Sequence, residues 1–171
     1  MIPTKLIALG AIIYVGASLP SHASVSIKEA RAIYKMICKK NNINCPKVQV
    51  VTKDFKNKDN KLVKHNWVNG FTGKTGIWVL EGDFKELNKA EFAHLLGHEL
   101  AHWQAFDAWY RLPGTFQEDR ADYYGAIYAE KIGFNKCDQA QLYKYYQQNG
   151  YGLEPDGKHS NNLVRYKHLC P

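Results

Sequence analysis

The stretch His98-Glu99-Leu100-Ala101-His102 holds the residue types and spacing best suited to chemistry in this chain. On a helix, residues four apart share one face, so the two imidazoles can point at a common ion while Glu99 stands beside them. Zinc accepts neutral imidazole nitrogens, and a catalytic site takes three protein ligands and leaves a fourth position to water. Glu99 is then free to act as a base on that water. Zn2+, one ion, is the cofactor this pattern calls for, and hydrolysis is the chemistry.

The third ligand has two common sources. A metzincin would continue with glycine and histidine three and six residues after His102, but Ala105 and Ala108 stand there. The other arrangement takes a glutamate from a following helix, and Glu118-Asp119-Arg120-Ala121-Asp122 offers Glu118 and Asp122 one turn apart. His98, His102 and Glu118 are therefore the expected metal ligands, a gluzincin arrangement. Asp122 is placed to orient a liganding histidine through a hydrogen bond. Glu118 could instead be only a capping carboxylate, but Gly125 and Ala129 continue its face with small residues that let another helix approach closely.

These residues need two rigid helices. Asn88 with Glu91 forms a capping box ahead of Phe92, Leu95, Leu96 and Leu100, which predicts an active helix through His102. Pro113 and Gly114 break the chain, and Thr115 with Glu118 marks the next helix start. Upstream, Ser26 with Glu29 opens a helix that turns Ile33, Tyr34 and Ile37 inward. Lys47 to Thr52 and Thr75 to Leu80 read as strands, separated by a polar stretch, residues 53–66, expected to be a mobile loop or a short hairpin. Two further helical pieces complete the chain. The expected class is α+β, helix-dominated, in one domain over 24–171 with no internal repeat.

The chain resembles the CAAX prenyl protease and HtpX heat-shock protease group of gluzincin zinc metallopeptidases. The resemblance is carried by Asn69-Gly70-Phe71, Gly76-Ile77-Trp78-Val79-Leu80-Glu81-Gly82, Leu87-Asn88-Lys89-Ala90-Glu91 leading into Leu95 to His102, and Glu118-x-x-Ala121-Asp122-x-x-Gly125-Ala126. His159 followed by Arg165 is similar to a late His-Pro-x-x-x-x-Arg element, with Ser160 in the place of proline. The similarity covers roughly residues 66 to 168. It implies a zincin-like fold with a small sheet beside the active helix, and a protein or peptide as substrate. It also implies that the strand carrying Gly76, Ile77, Trp78 and Val79 presents an edge on which an extended peptide lies. His159 would donate to the developing oxyanion, and Arg165 would fix the local geometry through a carboxylate such as Asp122. Glu99 and His159 are thus the expected catalytic pair. The multiple membrane spans of the best-known members are lacking.

Lys5 precedes an apolar and small-residue run from Leu6 to Leu19, then Ser21-His22-Ala23, which reads as a signal peptide over 1–23 cleaved before Ser24. No later run approaches the length of a spanning helix. A periplasmic or secreted location follows as the expectation, and the four cysteines, all beyond residue 23, suit an oxidising compartment. Four cysteines allow three connectivities; nearness in sequence favours Cys38 with Cys45 and Cys137 with Cys170. No Cys-x-x-Cys spacing suggests a second metal site.

The formal charge of +7 falls to +6 without Lys5. That favours anionic envelope surfaces in general, but the lysines are scattered and no nucleic-acid motif accompanies them, so no nucleic-acid partner is expected. Tyr143, Tyr145, Tyr146 and Tyr151 suit core packing better than a cleft, and His65, His94 and His168 receive no role. Nothing in the sequence sets an oligomeric state. A catalytically idle, metal-containing binding or chaperone-like module of the envelope is the alternative function, and Glu99, which a structural site does not need, argues against it. A hydrolase of a non-protein envelope component is a weaker alternative still.

Overall fold

The computed structural model describes residues 24–56, 60–66, 70–106, 114–150 and 160–171. Helix α1 (Ile27–Asn41) begins with the expected capping box, Ser26 accepting from the Glu29 N–H and Glu29 reaching back, and it ends at Asn42 in the left-handed region. Its buried stripe, Ala30, Ile33 and Ile37, faces the core, as the periodicity requires. Strand β1 (Val48–Val51) is followed by the short antiparallel pair β2 (Phe55–Lys56) and β3 (Leu62–Val63), so the polar stretch contains a hairpin.

Next come β4 (Phe71–Gly73) and β5 (Gly76–Leu80), then α2 (Glu81–Glu86), where buried Asp83 accepts from the Leu80 N–H. Strands β1, β5 and β4 form one mixed sheet in that order, β1 parallel to β5 and β4 antiparallel to it. Strand β5 is therefore the central strand, and the expectation that Gly76 to Val79 present a free edge is corrected. Val48 to Val51 pair with Ile77 to Leu80 on one side, and Phe71 to Gly73 pair with Gly76 to Trp78 on the other. Gly76, Ile77 and Val79 are buried, while Trp78 stacks on Phe71. The edge on that side of the sheet belongs to β4, a strand the sequence pattern did not single out.

Helix α3 (Lys89–Gln104) runs through the middle of the molecule. Asn88 caps it by accepting from the Ala90 and Glu91 N–H groups, and buried Glu91 accepts from the Asn88 N–H. Every residue from Ala90 to Ala101 is buried, because α1 and the sheet cover part of its circumference and α4 (Gly114–Glu130) and α5 (Lys136–Gln148) cover the rest. Helix α6 (Asn162–Leu169) packs on α5. Leu95, Leu96, Leu100, Phe92, Ile37, Ile77 and Val79 lie in one hydrophobic core.

Two disulfides close the fold, and they join the pairs favoured from the sequence. Cys38–Cys45 ties the end of α1 to the approach to β1, and Cys137–Cys170 ties the start of α5 to the end of α6. The molecule is α+β and helix-dominated with a small sheet beside α3, in agreement with a zincin-like single domain. Among the described residues, no helix is long and apolar enough to cross a membrane.

Candidate active site

The site forms where α3 crosses α4. Their closest approach is glycine on glycine: a Cβ at Gly97 would lie 2.7 Å from the Gly125 carbonyl oxygen, and one at Gly125 would lie 2.7 Å from the His98 nitrogen. This contact brings Glu118, two turns before Gly125 on α4, opposite His98 and His102. His98 Nε2 lies 3.0 Å from His102 Nε2 and 3.1 Å from Glu118 Oε2, and His102 Nε2 lies 3.5 Å from the same oxygen. Two nitrogens and one oxygen each about 2.0 to 2.1 Å from a tetrahedral zinc lie about 3.3 Å apart, so this triangle has the size one ion needs. Among the described residues, His98, His102 and Glu118 are the one group of three that could hold a metal.

Behind the triangle lies a buried polar network. Asp122 Oδ1 is 2.8 Å from His98 Nδ1, and Arg165 on α6 grips the same carboxylate with two hydrogen bonds of 2.6 Å, from Nε and Nη2. The Tyr143 hydroxyl on α5 stands 2.7 Å from Asp122 Oδ1 and 2.6 Å from His94 Nε2, and the guanidinium also lies 4.4 Å from the Tyr143 ring centroid. Beyond His94, Nδ1 is 3.2 Å from Gln139 Oε1, and the Gln139 amide is oriented by donating to the Ala126 and Phe134 carbonyls. Four helices thus converge on one carboxylate.

The electrostatics follow from this burial. Burial penalises the ionised Asp122, but the Arg165 charge and hydrogen bonds outweigh it and hold the carboxyl well below the usual range. Burial also penalises a charged His98, yet hydrogen bonds to Asp122 and Glu118, with the charges of Asp122 and Glu99, raise it to about 10. At His94 burial outweighs the charge of Asp122 and the hydrogen bond to Gln139 and pushes it down to about 4, so it is neutral at ordinary pH. Tyr143 is raised well above its ordinary value, chiefly by burial, and stays protonated.

Glu99 is buried on the other side of His98, beneath β4, where the Thr72 hydroxyl lies 2.8 Å from its Oε2. His98, Glu99, His102, Glu118, Asp122 and Arg165 therefore share one locality. His159 lies outside the described residues, but the adjacent Ser160 donates to Asp119, the neighbour of Glu118, at 2.9 Å. Gly76, Ile77 and Val79 are in the core instead of in a cleft. Tyr143, fully buried, packs in the interior.

Sequence reasoning missed His94, Gln139 and Thr72. His94 carried a usable signal, one helical turn before His98 on the same face, but its partners on α5 are 45 and 49 residues away. Thr72 carried none, because β4 itself was not anticipated. No curated protein matches the chain. Residues 41–141, more than half of its length and including His98, Glu99, His102, Glu118 and Asp122, match the model of Peptidase family M48, and the chain belongs to that family of metallopeptidases.

Proposed function

We propose that the chain is an exported zinc-dependent endopeptidase, of the gluzincin type and similar to the CAAX prenyl protease and HtpX group. The observation that carries this reading is the triangle of His98, His102 and Glu118 atoms with Glu99 beside it. When bound, zinc would supply a Lewis acid that makes water nucleophilic near neutral pH and polarises a carbonyl. His98, His102 and Glu118 would hold it. Glu99 takes the proton of the attacking water and delivers it to the leaving amine. Asp122 accepts from His98 Nδ1–H, which leaves the Nε2 lone pair for the metal; Arg165 keeps Asp122 charged and, with Tyr143 beside it, in place. His159 would donate to the oxyanion, with Arg165 ordering α6 just beyond it.

An extended protein or peptide substrate would pair with the outer edge of β4, which no other strand pairs among the described residues, since β5 is paired on both sides. The segment 1–23 is assigned as a signal peptide, with the mature chain beginning at Ser24. The two disulfides and the lack of a spanning helix among the described residues support a periplasmic or secreted location. A positive surface would favour contact with an anionic envelope.

Metal analysis and cleavage profiling with a peptide library test the assignments together. Glu118→Ala should lose zinc, whereas Glu99→Gln should keep it and lose turnover by about 10²- to 10⁴-fold, the usual contribution of a positioned base. Full zinc occupancy in Glu118→Ala would remove Glu118 from the ligand set. Undiminished cleavage by Glu99→Gln would remove the base.

A further inference from the structure

Strand β4 brings to the site a hydroxyl that the mechanism above does not use. Thr72 stands in the middle of the strand, and its Oγ1 lies 2.6 Å from the Glu99 carbonyl oxygen and 2.8 Å from Glu99 Oε2. Its neighbour Phe71 faces the other side of the sheet, where it stacks on Trp78 with centroids 5.4 Å apart. At Gly70, just before β4, a Cβ would come within 3.2 Å of Glu99 Cγ, so the backbone entering the strand lies close against the side chain of the proposed base.

A hydroxyl carries one hydrogen and can donate to one of these acceptors at a time. The Glu99 carbonyl lies inside α3, where the helix already supplies it with an N–H donor four residues on. Hydrogen bonds to a carboxylate group are of the stronger, charge-assisted kind. We infer that Thr72 is a positioning residue for Glu99: its hydroxyl occupies Oε2 and leaves Oε1 to take the proton of the attacking water.

This inference rests on the peptidase reading above and adds to it a link between substrate and base. The strand whose outer backbone would receive the peptide holds, with an inward side chain, the carboxylate that must meet the water. A carboxylate held at one oxygen enters the reaction in one orientation, which is where positioning lowers a barrier. The rival role for Thr72 is a plain tether of β4 to α3 through the Glu99 carbonyl.

Two variants of the zinc-loaded mature chain separate these roles. Thr72→Val keeps the shape and removes the hydroxyl; Thr72→Ser keeps the hydroxyl. Thr72→Val should retain zinc and lower kcat and kcat/KM together by about 10- to 100-fold, the worth of one hydrogen bond to a charged group. Thr72→Ser should restore both. With ¹³C-labelled glutamate carboxyls, the Glu99 resonance, identified by its loss in Glu99→Gln, should move in Thr72→Val and stay in place in Thr72→Ser. This readout does not depend on turnover.

A Glu99 resonance that superimposes on wild type in folded Thr72→Val overturns the inference. So does wild-type kcat in Thr72→Val beside an inactive Glu99→Gln, or a lowered melting temperature with unchanged kcat, the signature of a tether. If Glu99→Gln still cleaves, or the zinc-loaded wild type cleaves nothing in the library, the peptidase reading itself fails and the positioning role falls with it, whatever the resonance shows.

Discussion

His98 Nε2 faces both His102 Nε2 and Glu118 Oε2, so in the metal-free fold a proton on that nitrogen can stand where a cation would. Because hydrogen bonds to Asp122 and Glu118 outweigh the burial penalty and raise His98 to about 10, this proton is held at neutral pH. Metal uptake must displace it. Calorimetry in buffers of different ionisation enthalpy should therefore show about one proton released per zinc at pH 7 to 8, with apparent affinity rising about tenfold per pH unit below the His98 pKa. The sign for stability runs the other way. The His98 contribution to the metal-free fold is complete below its ordinary value of 6.5 and is lost as pH climbs through about 10. Urea melts of the metal-free protein from pH 6 to 10 should show that decline, and metal uptake without proton release would mean that His98 is neutral.

At the scale of elements, the distance between α3 and α4 decides whether Glu118 reaches the histidines. Gly97 and Gly125 set that distance, since either added Cβ would sit 2.7 Å from a backbone atom of the facing helix, and backbone cannot swing aside as a flexible side chain can. Gly97→Ala or Gly125→Ala should cost about 1 to 3 kcal/mol of stability through overpacking. Each should also weaken zinc binding, although neither residue touches the metal. Denaturant unfolding and zinc competition assays check the two effects. Full stability in both variants would show that the helices can part without cost.

Across the whole molecule, Arg165 clamps Asp122 from α6, a helix of eight residues that would be marginal alone. What holds it is packing on α5 and the Cys137–Cys170 disulfide, which joins residues 33 apart. Replacing both cysteines by alanine should destabilise the fold by about 2 to 4 kcal/mol. The variant should also lose turnover before it loses metal, because Arg165 bonds to Asp122 and not, among the described residues, to a ligand itself. Thermal melts with zinc content and kcat measured in parallel test this. Turnover that falls strictly with the folded fraction would assign α6 to stability alone.

How much of this was legible depends on the range of the signal. The capping boxes of α1 and α3, the inward stripe of α1 and the spacing of His98, Glu99 and His102 are local, because a helix turns through a fixed angle per residue and the side chains follow. Glu118 was reached through its pairing with Asp122 one turn later, again a helical period. The sequence by itself therefore determined which residues could bind a metal and on which elements they would ride. Tertiary structure decided the rest. Sheet order is a matter of pairing between distant strands, so the pattern of Gly76 to Val79 fitted an edge and a centre equally well, and only the three-residue β4 made β5 central. His94, Tyr143 and Gln139 look like ordinary core positions until α5 is laid against α3, where each buried polar atom needs a partner that the local chain cannot supply. Thr72 meets Glu99 across 27 residues, a contact that no local pattern announces, with Gly70 packed closely against the Glu99 and Leu95 side chains just before the strand.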